Sequence, residues 1–354
     1  MDTQPLFLFG FGRVGQALTR QIIAARALHK QRNGLKLNIL GMSDSAGVVF
    51  NARGLTETTL NKVLQAKAQS GRLPNAKALN HAALLASLPA NTILVDTTAS
   101  DAVVPALLKG KKRGMGVVLA NKVPLVGPLS WWDALADERS RWETTCGAAL
   151  PVISTLNTLL NSGDVVKRIE GSLSGTLSFL SSQLEAGARF GDAVREAKAR
   201  GYTEPDPRLD LSGMDVARKA LILARMLGHR LEIQDVKVES LYPKKMNTLT
   251  IDQFMQNVDS LNESVAARVA ALTAGGKKLR YAAVVQNGKL SAGLVGAEPT
   301  AKLGLTPASD CVVVFHTQQY LNNPVTVSGL GAGHEVTASG VLGDIVALSH
   351  SLRK

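Results

Sequence analysis

Short apolar runs alternate with amphipathic stretches along the first 150 residues, and this alternation predicts βαβ units around a parallel sheet. LFLFG at 6–10 reads as a first strand buried on both faces. Val14, Ala17, Leu18, Gln21, Ile22 and Ala25 then recur at helical spacing and predict a helix laid on that sheet. LNILGMSD at 37–44, NTILVDTTAS at 91–100 and GMGVVLANK at 114–122 read as later strands with their carboxyl-terminal tails. In doubly wound sheets ligands bind beyond those carboxyl ends. Gly10, Asp44, Thr98 and Lys122 are therefore expected at one crevice.

A helical segment through Trp131, Leu135 and Trp142 leads into ETTCGAALPVIST at 143–155, where the pattern changes. We place a domain boundary near residue 150, with residues 1–150 as a dinucleotide-binding domain. Residues 151–322 read as a mixed domain: a helix through Leu159, a strand in RIEGSLSG, a helix over 176–199, an acidic segment, a helix over 214–227, and strands in RYAAVVQNG (280–288) and CVVVFHT (311–317). The tail, 323–354, combines a glycine-rich turn with a helical pattern at Val341, Ile345 and Leu348, and is expected to return to the first domain. The fold class is α/β, a Rossmann-type doubly wound parallel sheet joined to an α+β domain.

Composition narrows the function. With 354 residues, 45% hydrophobic and 19% charged, the chain suits two folded domains. No apolar run approaches the roughly 18 residues that span a bilayer, and the start lacks the basic region of a signal sequence. No membrane partner is expected. Cys146 and Cys311 stand outside any CxxC spacing, which indicates neither a disulfide framework nor a zinc site and fits a reducing, cytoplasmic setting. The formal charge of +12 concentrates at KGKKR (109–113) and KKLR (277–280), but aromatic residues make up only 4% of the chain. Without interleaved aromatics to stack on bases, nucleic acid is not expected as a partner. An anionic dinucleotide accounts for the charge equally well.

Gly10, Gly12 and Gly15 form GxGxxG between a strand and a helix, the context in which the motif binds a dinucleotide. The same glycines would also serve a ligand-free turn. Asp44 is a candidate partner for a ribose hydroxyl, although it lies well beyond the usual ~20 residues from the motif. Arg13 is the alternative, meeting a 2′-phosphate, so NAD and NADP both stay open. Lys122 closes a buried strand, as a ligand to cofactor or substrate or as a surface lysine. The segment GYTEPDPRLDLSGMDVARK at 201–219 brings Glu204, Asp206, Asp210, Asp215 and Lys219 around a turn and a helix start. Asp215 and Lys219 share a helix face at i, i+4, as an exposed ion pair or as part of a site. The chemistry that suits them is reduction of a carbonyl on an ammonium-bearing substrate, with the lysine as proton donor and carboxylates holding the cation.

Taken together, GFGRVG (10–15), VDTTAS (95–100), ANK (120–122), ETTCGAALP (143–151), GSLSGT (171–176), the 201–219 segment and GLGAGHEVTA (329–338) resemble the homoserine dehydrogenase family over essentially the whole length. The resemblance implies NAD(P)-dependent interconversion of L-aspartate 4-semialdehyde and L-homoserine, in threonine and methionine biosynthesis, by a homodimer whose second domain supplies catalysis and the dimer contact. It implies Lys219 as proton donor and Lys122 as second active-site lysine. Glu204 and Asp215 would hold substrate, with Asp210, Tyr202, Gly175 and Thr176 beside them. Gly10, Phe11, Gly12, Arg13, Val14, Gly15, Thr98, Lys122 and Gly333 would contact the cofactor. Glu143, with the backbone carbonyls of Cys146, Ala148 and Leu150, would hold sodium or potassium. Asp206 is left as a turn residue. The chain resembles the monofunctional type, without aspartate kinase or the ACT regulatory domain. Another Rossmann dehydrogenase or a dinucleotide-sensing regulator are the competing readings.

Overall fold

The computed structural model describes residues 2–307 and 310–353. They divide into two compact units: Met1–Ala149 with Gly333–Lys354, and Leu150–Ala332.

The first unit is built on six strands: β1 (Asp2–Phe9), β2 (Leu35–Asp44), β3 (Gly47–Phe50), β4 (Ile93–Asp96), β5 (Gly116–Leu119) and β6 (Ser140–Arg141). Their order is β3-β2-β1-β4-β5-β6. β1 runs parallel to β2 and β4, β4 to β5, and β5 to β6, while β3 folds back antiparallel on β2. β1 lies mid-sheet, and Leu6, Phe7, Leu8 and Phe9 are fully buried, which is why its apolar run does not alternate. The helix Arg13–Ala24 lays Ala17, Leu18 and Ile22 against the sheet. The helix His334–Ser351 adds Ala338, Val341, Ile345 and Leu348 to the same core. The helix Leu129–Leu135 stops short of Trp142, which is not helical. The turn at 136–139, where Asp137 accepts from Arg139 N–H, leads instead into β6, and Trp142 meets Trp132 edge-on at 5.9 Å.

The second unit carries a mixed sheet of β7 (Val166–Ser172), β8 (Val236–Val238), β9 (Lys278–Gln286), β10 (Lys289–Ala297), β11 (Cys311–Thr317) and β12 (Val325–Gly329), ordered β12-β11-β7-β9-β10-β8. Among the described residues only β10 and β8 pair in parallel in this sheet. β9 and β10 join through Asn287 and Gly288, both at positive φ, the two-residue turn that favours hairpin twist. The helices Gly175–Glu185 and Met214–Met226 pack on this sheet. The helix expected over 176–199 is two, Gly175–Glu185 and Phe190–Ala199, separated by a turn around Gly187. Because β12 pairs with β11, residues 323–332 belong to this unit, and the return to the first begins at Gly333. Among the described residues no helix is long and apolar enough to cross a membrane.

Candidate active site

In the first unit the glycine motif separates packing from openness. Gly10 sits at φ +88°, and a Cβ there would crowd Thr97 and the Thr98 methyl. A Cβ at Gly15 would overlap the Gly10 carbonyl oxygen, whereas nothing lies within 4 Å of one at Gly12. Gly12 is therefore where a ligand can approach the backbone. It precedes the helix Arg13–Ala24, whose start has no side-chain cap. The first-turn N–H groups are thus available to an anion. Phe11 is fully buried, while Arg13 is exposed.

Asp44 is already held by the protein's own donors. Its carboxylate accepts from Lys67 Nζ at 2.5 Å, Ala46 N at 2.7 Å and Leu73 N at 3.2 Å, and its side chain is only 8% exposed. The excess distance from the motif was the sequence signal against a ribose contact. At the ends of β4 and β5, Thr97 donates to the Gly10 carbonyl at 2.6 Å, and Ala120 N donates to the Asp96 carbonyl at 2.9 Å. Lys122 follows, half-buried, as the residue before the short helix Val123–Val126. Gly333, at φ +110°, opens the helix His334–Ser351, and Glu335 in that helix pairs with Arg20 at 2.8 Å.

Of the expected cation ligands, Glu143, Cys146 and Ala148 lie in the first unit and Leu150 opens the second. Glu143 N–H donates to Asp344 at 2.9 Å. Burial pushes the Asp344 carboxyl up to about 7, with the Glu143 charge adding to the effect. Cys146 is fully buried and Ala148 adopts φ 52°. No group of three or more His, Cys, Asp or Glu side chains suited to a metal occurs among the described residues.

In the second unit the acidic segment folds around Asp210. Its carboxylate accepts from Glu204 N at 2.8 Å and from the Thr176 hydroxyl at 3.1 Å, while Thr176 also reaches the Tyr202 carbonyl at 2.6 Å. Burial holds the Asp210 carboxyl above its ordinary range, and the charges of Glu204 and Asp215 push the same way. Ser174 caps the helix Gly175–Glu185 by accepting from Leu177 N at 3.3 Å, the job asparagine would also do. Glu204 itself is exposed. Asp206 turns inward to a fork with Arg208, whose guanidinium also reaches the carbonyls of Met246 and Leu249. Asp206 is structural, as its place in the turn suggested.

Lys219 is buried, its side chain 9% exposed. Its ammonium donates to the Leu173 carbonyl at 2.5 Å and pairs with Asp215 at 2.7 Å, while Asp215 remains 45% exposed. A buried ammonium needs such partners, and here they aim it from the helix toward the turn after β7. The helix itself starts at Gly213, φ +71°, where any Cβ would overlap the Tyr281 hydroxyl. Tyr281, fully buried, donates to the Glu239 carbonyl at 2.6 Å. Neither Tyr281 nor the Leu173 carbonyl was named from sequence; only the glycine before the helix hinted at a close approach. A cavity of about 540 Å³ opens beside Thr176, lined also by Gly175, Phe179, Tyr202, Cys311 and Gly331. Tyr202 contributes its carbonyl to the acidic turn and stacks its ring edge-on against Phe179 at 5.1 Å.

Known proteins share this architecture. The family model described as Homoserine dehydrogenase matches residues 151–346. The chain is 39% identical over 290 residues to the homoserine dehydrogenase of Emericella nidulans, covering 77% of this chain and 79% of that one. It is 38% identical over 357 residues to bifunctional aspartokinase/homoserine dehydrogenase 1, chloroplastic, of Zea mays; the match takes in 98% of this chain but spans only 38% of the maize protein. A crystal structure of a Candida auris protein of unknown function superimposes with a TM-score of 0.87 at 30% identity, over 99% of both chains. A hyperthermophilic archaeal homoserine dehydrogenase in complex with NADPH superimposes with a TM-score of 0.75 at 25% identity, over 98% and 97%. On sequence and fold together, the chain belongs to the homoserine dehydrogenase family.

Proposed function

We propose that this chain is an NAD(P)-dependent homoserine dehydrogenase that interconverts L-aspartate 4-semialdehyde and L-homoserine. The observation that carries the reading is Lys219, a buried ammonium aimed by Leu173 and Asp215 beside the Glu204–Asp210 turn. The open Gly12 backbone and the uncapped helix start fit a dinucleotide pyrophosphate, and the NADPH complex of the archaeal relative supports the same cofactor class. When bound, the dinucleotide supplies the hydride that converts the aldehyde carbon to a primary alcohol.

The residues then divide the remaining work. Lys219 delivers a proton to the oxygen that becomes the hydroxyl, and Asp215 keeps the ammonium directed. Glu204 and Asp215 hold the substrate ammonium group, while Asp210 fixes the Glu204 backbone and the Thr176 turn. Gly175 and Tyr202, which line the cavity beside Thr176, are substrate contacts by family likeness. By family likeness Lys122 is a second active-site lysine and Phe11, Arg13, Val14, Thr98 and Gly333 contact the cofactor. A carboxylate and backbone carbonyls at Glu143, Cys146, Ala148 and Leu150 are hard oxygen donors, and the buried Asp344 carboxyl accepts from the Glu143 N–H beside them. These support a sodium or potassium ion. A homodimer follows from the same likeness, and two buried cysteines outside any disulfide fit a reducing compartment such as the cytoplasm.

The test is direct. Purified protein supplied with L-homoserine and NAD or NADP is expected to generate reduced nicotinamide absorbance. Lack of turnover with both dinucleotides, in sodium and in potassium buffer, would falsify the reading.

A further inference from the structure

Asp96 ends β4 with no solvent exposure, and its carboxylate is surrounded by neutral donors. One oxygen accepts from Thr98 N at 2.9 Å and from the Thr98 hydroxyl at 2.7 Å. The other accepts from Asn121 Nδ2 at 3.0 Å. Asn121, itself 4% exposed, extends the same amide to the Ser100 carbonyl at 2.8 Å and the Thr98 hydroxyl at 3.2 Å, and its own oxygen accepts from Val123 N at 3.0 Å. The side chain of residue 121 and the amide of residue 123 thus bracket Lys122. The Thr98 hydroxyl spends its hydrogen on Asp96 and accepts from Asn121 and, at 3.3 Å, from Ser100 N.

A buried carboxylate without a cation is costly to fold around. Burial pushes the Asp96 carboxyl up to about 6, against the donors that pull it down. An asparagine at 96 would fill the same space, yet it has one acceptor oxygen instead of two, and its NH2 would face the Asn121 NH2. What the carboxylate alone provides is simultaneous acceptance from both tails, the one after β4 and the one after β5.

We propose that Asp96 is a positioning residue for the reaction: through Asn121 it sets the backbone that carries Lys122, and through Thr98 it sets the opposite tail of the same crevice. This rests on the homoserine dehydrogenase reading, in which Lys122 and Thr98 face cofactor and substrate. Asp96 touches neither, and its effect passes through the two tails.

The experiment compares wild type, Asp96→Asn and the exchange variant Asp96→Asn/Asn121→Asp. It measures kcat, the KM for L-homoserine, dinucleotide Kd by fluorescence and hydrogen exchange of the 119–126 segment. Asp96→Asn is expected to lower kcat by about 10- to 100-fold, the scale of an ångström-level misplacement. The KM is expected to stay within about threefold, with exchange speeding up in 119–126 and not in the helix Arg13–Ala24. The exchange variant restores one donor facing one acceptor between the two side chains, gives up the amide donated to the Ser100 carbonyl, and is expected to recover part of the lost kcat. If Asp96→Asn does not fold, Asn121→Ala cuts the same link and should produce the same pair of changes. Unchanged kcat per folded molecule, unchanged exchange in 119–126, or an exchange variant no better than Asp96→Asn would each overturn the proposal. A wild type that does not oxidise homoserine overturns the functional reading instead, and the exchange rates then still decide whether Asp96 holds the segment.

Discussion

Replacing Lys219 by methionine separates catalysis from stability more cleanly than any other change at the site. Methionine keeps the length and helix preference of lysine and removes only the ammonium. The Leu173 carbonyl then loses a donor at 2.5 Å, a loss of about 1–3 kcal/mol for an orphaned buried group. Against this, an ammonium 9% exposed no longer has to be desolvated, which returns a few kcal/mol of the same order. Asp215 is nearly half exposed and rehydrates. Stability is therefore expected to change by no more than about 2 kcal/mol. Loss of the proton donor should cost about 10²- to 10⁴-fold in kcat, or about 2.7–5.5 kcal/mol of activation free energy at 1.36 kcal/mol per decade. Steady-state kinetics of homoserine oxidation, dinucleotide titration and a thermal melt on the same preparation make the comparison. A kcat within about threefold of wild type, with the fold intact, would remove Lys219 from the proton-transfer step.

Three further outcomes are expected. Glu204→Gln should raise the KM for the amino-acid substrate by about tenfold, roughly one lost charge-assisted contact, with dinucleotide Kd unchanged; an effect on the dinucleotide alone would contradict the assignment. Gly12→Ala should weaken dinucleotide binding by about tenfold or more without lowering the melting temperature, since only open space surrounds the new methyl, whereas Gly15→Ala should destabilise the fold by several kcal/mol through overlap with the Gly10 carbonyl. The reverse pattern would refute the division of roles. Asp96 takes up its proton at about 6 in the folded protein and near the ordinary ~3.9 in the unfolded chain. It opposes folding by about 3 kcal/mol above pH 6, and that penalty fades as pH falls toward 4. The stability of wild type relative to Asp96→Asn should accordingly drop by about that amount between pH 4 and pH 7, and a flat difference across this window would remove the carboxyl from the balance.

The parallel core of the first unit was legible because its strands are buried on both faces and its helices present apolar residues at helical spacing, as in Leu6–Phe9 and Ala17, Leu18, Ile22. Short elements were not. β3 is four residues antiparallel to its neighbour, and β6 is two, too brief to show a period. The helix over 176–199 looked continuous because its apolar spacing persists across the Gly187 turn. At the site, the Asp215–Lys219 pair followed from i, i+4 spacing, but the partners that aim it did not. The Leu173 carbonyl that receives the ammonium comes from the turn after β7, and the Tyr281 hydroxyl that packs against Gly213 at the helix start comes from β9; such contacts leave no mark in local sequence. Asp44 illustrates the converse. A carboxylate at a strand end has the right residue type, and only the distant Lys67 reveals that it is already engaged.

The helix His334–Ser351 has a consequence for how the chain comes into being. Its buried residues Ala338, Val341, Ile345 and Leu348 belong to the core begun by Leu6 and Leu8, with the whole second unit inserted between them in sequence. During synthesis the first 149 residues leave the ribosome with one side of their core uncovered, and they wait for some 200 residues more before it can close. The inserted unit, Leu150–Ala332, has all of its sheet in one continuous stretch and can mature first. The amino-terminal unit is then the late one, and the interval before its last helix arrives is when it is most exposed to aggregation or proteolysis.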